Sequence, residues 1–219
     1  MEEIYLNKII VSVDGASGSG KEKIAKYIAK NYNLYHLDSG ILYRRLAFLI
    51  LKNKIDTKKN KNLIIFLKSI KSISSRTHLS LRKEYIGKET SKIAKLLIIR
   101  NFINAQQRKI VKNLKKSYTG CVIDGRDIGS NVFKNARIKL FIRVKPEIRA
   151  KRRHKQLLEQ GEKTIYSRIL KDINLRDKTD INRNISPLVV PNNAIIIDNS
   201  SSFQKTVKQI KQTMKKISI

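Results

Sequence analysis

The sequence predicts an α/β fold in which a mostly parallel central sheet lies between two layers of helices. Short apolar runs alternate with longer stretches of helical periodicity, which is the order expected of repeated strand–helix units. The apolar runs are nearly continuous, as is typical of parallel strands that are covered on both faces. At 219 residues, the chain fits one such domain with room for a small insertion.

A glycine-rich turn joins the first predicted strand, Ile9–Val13, to the first predicted helix, Lys21–Asn31. Glycines let backbone N–H groups curl around an oxyanion, and the start of a helix adds the positive end of its dipole. A lysine at the end of the turn can then reach the outer phosphates of a nucleotide. We therefore interpret the turn as a phosphate-binding loop with the spacing G-x-x-x-x-G-K, formed by Gly15, Ala16, Ser17, Gly18, Ser19, Gly20 and Lys21.

One position departs from this motif. A Ser or Thr normally follows the lysine and helps to hold Mg²⁺, whereas Glu22 and Lys23 follow Lys21 here. Glu22 could hold the metal as an oxygen ligand, directly or through water, or it could repel the phosphates. The sequence leaves both possibilities open.

The next elements follow from local patterns. A short strand is predicted at Leu34–Leu37, and Asp38-Ser39-Gly40 is a capping sequence for a helix over 41–52. This order places Ser39 and Arg44 near a helix N-terminus at the strand ends, which is the edge where open α/β sheets bind ligands.

Residues 53–90 are predicted to form an inserted subdomain rather than a separate domain, because no Pro/Gly linker flanks them. A helix is predicted over 62–70, and the alternation over 77–86 predicts a short pair of strands. A long helix is predicted to follow, over about 91–116.

Charged residues come directly after the next buried strand, Cys121–Asp124, in the sequence Gly125-Arg126-Asp127. Such residues are costly to desolvate unless they are paired. A salt-bridged turn would suffice, but a phosphate loop at the same sheet edge favours a ligand site. Further along the chain, Arg176, Asp180 and Arg183 would share one face of a helix. That face is either an ion-pair ladder or, next to a nucleotide, a phosphate and sugar clamp.

The remaining elements complete the alternation of strands and helices. A strand is predicted over 138–144, and Pro146 begins a very basic helix that ends near residue 160. Most of its basic side chains should be solvated, while at least one arginine is expected to act as a lid over phosphates. A helix from Tyr166, a last buried strand over 194–198 and a final helix follow. The apolar stripe predicted for that final helix is Phe203, Val207, Ile210, Met214 and Ile217.

Basic residues dominate the composition, with 48 Lys and Arg against 17 Asp and Glu and a net charge of +31. These residues are scattered along the chain without an aromatic-studded basic motif, so we expect no specific nucleic-acid partner. Cys121 is the single cysteine, and the three histidines are far apart in sequence, so neither a disulfide within the chain nor a Cys/His metal cluster is predicted. We expect a cytoplasmic protein without a membrane partner, because no signal-peptide pattern or membrane-spanning stretch is present.

Taken together, these residues resemble the bacterial cytidylate kinases, of the nucleoside-monophosphate kinase group, over nearly the full length. The resemblance implies a P-loop NTPase three-layer sandwich over 1–219, with an NMP-binding insert at about 53–90 and a short lid at about 146–175. It also implies transfer of the γ-phosphoryl group of ATP to CMP or dCMP, giving CDP or dCDP, in pyrimidine nucleotide metabolism. The matching blocks are the glycine-rich loop, Leu37-Asp38-Ser39-Gly40 with Tyr43-Arg44, Asp124-Gly125-Arg126-Asp127-Ile128-Gly129, Pro146-Glu147 with Arg149, and Arg176-Asp177, Asp180, Asn182-Arg183 and Ser186-Pro187-Leu188.

The resemblance implies roles for individual residues. The phosphates of ATP would be cradled by Gly15, Ala16, Ser17, Gly18, Ser19, Gly20, Lys21, Glu22 and Lys23. The catalytic charges would be Lys21, Arg126, Arg176 and Arg183. The implied CMP-binding set is Ser39, Arg44, Ser91, Arg100, Arg126, Asp127, Arg176, Asp180 and Arg183. In this set Ser91, Arg100 and Asp127 would read the cytosine edge, and Asp180 would bind the sugar hydroxyls. Mg²⁺ is expected to accompany ATP, its protein ligands stay unassigned, and the protein is expected to be a monomer.

Two departures from the family pattern keep alternatives open. Glu22-Lys23 replaces small residues, and the segment between Arg44 and Ser91 is shorter than in relatives. One alternative is a P-loop kinase that acts on another small molecule. The other is a catalytically weak nucleotide-binding relative in which Glu22-Lys23 has spoiled the metal site.

Overall fold

The computed structural model describes residues 8–216, which divide into two compact units. The helical unit comprises residues 37–117 of the described chain, and the sheet unit comprises residues 8–36 and 118–216. The chain passes from one unit to the other within its second strand and again after Ser117.

A five-stranded sheet has the strand order β2-β3-β1-β4-β5. Strand β1 pairs in parallel with β3 and with β4, and β4 pairs in parallel with β5. The predicted α/β fold, with a mostly parallel sheet flanked by helices, is therefore confirmed. The strands are β1 (Ile9–Gly15), β2 (Leu34–Asp38), β3 (Gly120–Gly125), β4 (Ile138–Arg143) and β5 (Ile195–Asp198).

The central strands are buried on both faces. Every residue of β3 is buried, and so is every residue of β1 after Ile9. Because successive side chains point to opposite faces, both faces are covered there, which explains the continuous apolar runs in the sequence.

The prediction that the last strand is buried is wrong for three of its four residues: only Ile197 is buried, because β5 is an edge strand.

The helices of the described chain lie close to the predicted positions, except in two parts of the helical unit. They are α1 (Lys21–Asn31), α2 (Ser39–Lys52), α3 (Asn60–Ser69), α4 (Glu84–Ile93), α5 (Leu97–Lys112), α6 (Pro146–Glu159), α7 (Tyr166–Asn182) and α8 (Phe203–Lys216). None of these helices has the length and apolar character needed to cross a membrane.

The core of the sheet unit joins α1 and α8 to one face of the sheet. Ile24 and Ile28 of α1 and Ile210 and Met214 of α8 are fully buried in it, together with apolar side chains of β1, β3, β4 and β5. The predicted apolar stripe of the last helix is thus confirmed for Ile210 and Met214, while Ile217 lies outside the described residues.

The helical unit departs from prediction in two places. The predicted strand pair over 77–86 is wrong, because Leu79–Arg82 forms a short 3₁₀ helix and α4 follows it. The predicted long helix over 91–116 is two helices, because the chain is extended at Leu96 between α4 and α5. No Gly or Pro marks this break, and Ile93 and Ile99 on either side of it are both fully buried. Packing rather than a local signal therefore decides where α4 ends.

Candidate active site

The glycine-rich loop has the geometry that its sequence predicts, since β1 ends at Gly15 and α1 begins at Lys21. Gly18 and Gly20 have φ angles of 72° and 83°, a left-handed conformation that side chains disfavour. Gly20 turns the chain into α1. The Nζ atom of Lys21 donates to the carbonyl of Ala16 at 3.2 Å, so the ammonium group lies against the loop.

An arginine network in the sheet unit contacts this loop; we use the name for Arg126, Asp127, Asp180 and Arg183. Arg126, just after β3, donates from Nη1 to the carbonyl of Gly15 at 2.9 Å and from Nε to Asp180 Oδ2 at 2.8 Å. Arg183 lies 3.6 Å from Asp180 Oδ1 and 3.8 Å from Asp127 Oδ1. Four of the residues predicted for the site are therefore brought together beside the loop.

The C-terminal end of α7 sets the spacing of this network. Arg176 and Asp180 are one helical turn apart on α7, as predicted. The helix ends at Asn182, and Arg183 follows it in an extended conformation, where its Nε donates to the carbonyl of Ser186. The predicted helical face therefore stops one residue short of Arg183.

A buried carboxyl group, Asp14, connects the loop to the residues after β3. It accepts hydrogen bonds from the backbone N–H groups of Ile128, at 2.8 Å, and Gly129, at 2.7 Å. Burial raises the pKa of Asp14 to about 7, and the two backbone hydrogen bonds only partly oppose this shift. No sequence motif assigns Asp14 a role, although a carboxyl group inside a buried strand is itself a signal.

The stability of the protein should carry the signature of Asp14. The pKa of Asp14 is 3.8 in the unfolded chain and about 7 in the folded protein. Between these two pH values the unfolded chain loses the proton and the folded protein keeps it. The contribution of Asp14 to the free energy of unfolding should therefore fall as pH rises through this range and level off above it. The free energy of unfolding is measured in urea across this pH range for the wild type and for Asp14→Asn. The wild-type value minus the variant value should decline as pH rises. Parallel pH profiles for the two proteins would contradict the assignment.

A second pair at the strand ends was also missed by sequence reasoning. His36 Nε2 lies 2.7 Å from Oδ1 of Asp124, at the end of β3. Asp124 is almost fully buried, so this contact fixes the carboxylate. The two residues are 88 positions apart in sequence, and no local pattern links them.

The two residues after Lys21 both have partners in the sheet unit. Glu22 Oε1 accepts from Lys26 Nζ at 2.7 Å, along the surface of α1. Lys23 Nζ lies 4.1 Å from the centroid of the Phe203 ring, which is a cation–π contact. Within residues 8–216, no group of three or more His, Cys, Asp or Glu side chains could hold a metal ion.

The basic helix α6 contacts the loop through one buried arginine. Arg149 is 3% exposed, donates from Nη1 to the carbonyl of Ser17 at 3.0 Å, and forms an ion pair with Asp177 of α7. Arg152 instead bonds the carbonyls of Ser200 and Ser201. Arg149 is therefore fixed against the carbonyl of Ser17 in the loop. The lid predicted at about 146–175 stays a prediction.

In the helical unit, Arg44 and Ser91 both lie near Gly87. Arg44 Nη1 donates to the carbonyl of Leu81 at 2.8 Å, and a side chain at residue 87 would approach its guanidinium group to 3.3 Å. The hydroxyl of Ser91 donates to the carbonyl of Gly87 at 3.1 Å. The first bond joins α2 to the 3₁₀ helix Leu79–Arg82, and the second lies within α4.

The same unit holds Arg100 and Ser39 in buried positions. Arg100, on α5, is 2% exposed, and its Nη1 donates to the Tyr43 hydroxyl of α2 at 3.1 Å. Ser39 is the first residue of α2, directly after Asp38, whose side chain accepts from the N–H of Ile41. The prediction that Ser91 and Arg100 share one helix is wrong, because α4 and α5 are separate helices.

The parallel sheet and the glycine-rich loop between its first strand and helix define a P-loop nucleotide-binding protein. The arrangement is similar to that in the crystal structure of TT1252 from Thermus thermophilus. That similarity has a TM-score of 0.50 at 14% identity and covers 96% of this chain and 98% of the other. At this identity the match supports the fold alone.

The chain belongs to the cytidylate kinase family, whose family model matches residues 11–217. It is 38% identical to the cytidylate kinase of Rickettsia akari (strain Hartford) over 212 residues, which are 96% of this chain and 94% of the relative. It is 35% identical to the cytidylate kinase of Clostridioides difficile (strain 630) over 94% of this chain and 95% of that relative.

Proposed function

We propose that this protein is a cytidylate kinase that transfers the γ-phosphoryl group of ATP to CMP or dCMP, giving ADP and CDP or dCDP. The observation that carries the proposal is the family match over residues 11–217. The glycine-rich loop and the arginine network beside it support the proposal, because they supply amides and fixed positive charges for phosphate groups.

The proposed reaction brings two polyanions together, so the protein contributes mainly positioning and charge neutralisation. In this proposal Lys21, Arg126, Arg176 and Arg183 neutralise the phosphoryl group in flight. Arginine suits the task because its planar fork binds two phosphate oxygens and keeps its charge. The contacts of Arg126 with Asp180 and Gly15 hold its guanidinium group before substrate arrives, which reduces reorganisation during the reaction.

The acceptor roles are proposed residue by residue. Arg44 binds the CMP phosphate, and Asp180 binds the sugar hydroxyls. The cytosine edge is read by Ser91, Arg100 and Asp127, with Ser39 beside them. Asp127 suits the exocyclic amine of cytosine because a carboxylate accepts hydrogen bonds, which uracil cannot donate from that position. Uracil has a carbonyl oxygen at that position, which the carboxylate would repel, and this repulsion is a basis for rejecting uracil.

Substrate profiling tests this proposal. ATP is supplied with CMP, dCMP, UMP, AMP or shikimate in parallel reactions, and the products are identified by ³¹P NMR. We expect kcat/KM to be highest for CMP and dCMP. A preference for AMP or shikimate would overturn the assignment.

We propose that Mg²⁺ accompanies ATP and neutralises charge on its phosphates. Mg²⁺ usually takes one or two protein carboxylates and otherwise phosphate and water oxygens, so a three-residue cluster is not required. Glu22 fits this requirement, because its carboxylate lies in the first turn of α1 directly after Lys21. The ion pair with Lys26 offsets the extra negative charge that Glu22 brings.

Replacing Glu22 with glutamine should raise the Mg²⁺ concentration needed for half-maximal activity several-fold, because a neutral amide is a weaker ligand than a carboxylate. Activity is measured against Mg²⁺ at saturating ATP. Lys26→Gln is the matched control, since it removes the ion pair and leaves the carboxylate in place. An unchanged Mg²⁺ requirement for Glu22→Gln would exclude Glu22 as a ligand.

A further inference from the structure

Three backbone carbonyls of the glycine-rich loop, at alternate positions, are held by side chains from outside the loop. The loop lies between β1 and α1, whereas the donors come from the end of β3, from α6 and from the segment after β5. The bonds are Arg126 Nη1 to the carbonyl of Gly15 at 2.9 Å, Arg149 Nη1 to that of Ser17 at 3.0 Å, and Asn199 Nδ2 to that of Ser19 at 2.8 Å.

The Asn199 donor is held by its own partners. Asn199 is 6% exposed, its backbone N–H bonds the carbonyl of Arg143, and its Oδ1 accepts from the Thr206 hydroxyl at 2.8 Å. With Oδ1 occupied by Thr206, the amide nitrogen faces Ser19. Space is tight here, because a Cβ atom at residue 20 would lie 2.5 Å from Asn199 Nδ2.

The Arg149 donor is held equally firmly. Its Nε donates to the carbonyl of Val144 at 3.1 Å, and its guanidinium group pairs with Asp177. The same group therefore reaches the carbonyl of Ser17 from a fixed position.

These bonds determine which way the loop amides face. A trans peptide is planar, so the N–H group that follows a carbonyl points away from the carbonyl oxygen. The carbonyl oxygens of Ser17 and Ser19 point outwards, to the side chains that bind them. The N–H groups of Gly18 and Gly20 belong to the same two peptide planes, so they point the opposite way, towards the inside of the loop. Both glycines have the positive φ angles that this arrangement requires. An anion bound in such a loop is held by inward-facing amides.

We infer that Arg149 and Asn199 are positioning residues of the ATP site, which act through the loop by turning the amides of Gly18 and Gly20 towards the phosphates. The inference rests on the proposed function, because it takes ATP as the ligand of the loop. Neither residue belongs to the set predicted from the resemblance to bind ATP. Their removal should therefore weaken phosphate binding and leave CMP binding unchanged.

Asn199→Asp is the sharpest test. It keeps the shape and the acceptor for Thr206 but replaces the Nδ2 donor with an oxygen that repels the carbonyl of Ser19. We expect KM for ATP and the Kd for inorganic tripolyphosphate to rise about tenfold, because the misdirected Gly20 amide would no longer donate a hydrogen bond to a charged phosphate. The KM for CMP should be unchanged. Lys151→Met is the control, since Lys151 is exposed on the same helix as Arg149.

Arg149→Lys is the second variant, and it decides the question if Asn199→Asp does not fold. Lysine cannot bond Val144, Ser17 and Asp177 together, so the same ATP-specific loss is expected. Amide NMR separates the two anchors: tripolyphosphate should shift the Gly18 and Gly20 resonances in the wild type. The Gly20 response should be reduced in Asn199→Asp, and the Gly18 response in Arg149→Lys.

The outcomes separate this inference from the proposed function. If the wild type phosphorylates CMP and the folded variants keep its KM for ATP and its amide responses, the inference is wrong and the proposed function stands. If the wild type does not phosphorylate CMP, the proposed function fails. Tripolyphosphate affinity and the glycine resonances then still decide whether the anchors orient the loop.

Discussion

Replacing Lys21 with methionine is expected to lower kcat by about 10³-fold, because a charge that stabilises a transferring phosphoryl group acts mainly in the transition state. Methionine has a similar length but no charge. The ammonium group of Lys21 already lies against the loop, 3.2 Å from the carbonyl of Ala16, so it is within reach of any phosphate bound there. Steady-state and single-turnover rates with ATP and CMP measure the effect on the chemical step.

The control for this change is Lys30→Met, at an exposed position in the last turn of the same helix. It removes the same charge from α1 and should leave kcat essentially unchanged. A Lys21→Met protein that folds normally and keeps a rate close to that of the wild type would remove Lys21 from the catalytic set.

Replacing Arg126 with methionine is expected to lower kcat/KM by at least about 10³-fold, because it removes a phosphate-binding charge and the anchor of Gly15 together. Asp180 would keep its ion pair with Arg183, at 3.6 Å, so the loss of Arg126 should not leave this half-buried carboxylate without a cation. Initial rates are measured with ATP and CMP varied separately. Thermal melting then shows whether the variant is folded.

Arg126→Lys distinguishes charge from geometry at this position. Lysine keeps the charge but cannot bond Asp180 and Gly15 with a rigid fork, so it should restore little of the lost activity. Arg137→Met, at an exposed position before β4, is the matched control and should retain activity. Full activity of Arg126→Lys would contradict the bidentate role that we propose.

Local signals in the sequence were sufficient for the parts of the site that are contiguous in the chain. The loop follows from glycines at fixed spacing between an apolar strand and a helix, and its left-handed residues are the glycines Gly18 and Gly20. The start of α2 follows from a capping residue, Asp38. These features depend on backbone conformation and on near neighbours, so sequence patterns report them directly.

Contacts between distant segments were not accessible in this way. The bond from Asn199 to Ser19 joins residues 180 positions apart, and the bond from Arg149 to Ser17 joins residues 132 positions apart. Nothing near Asn199 or Arg149 in the sequence indicates a carbonyl partner in the loop. The break between α4 and α5 also lacks a Gly or Pro signal.

The amino-acid order was enough to establish an α/β fold, a phosphate-binding loop and a family resemblance, because each of these depends on periodicity or short motifs. Folding of the chain decided which side chains hold the loop carbonyls, that the arginine network meets Gly15, and that Asp14 is buried with a pKa raised to about 7. The physical reason is that hydrogen-bond partners and desolvation are properties of the packed chain. They arise only when remote segments come together and exclude water.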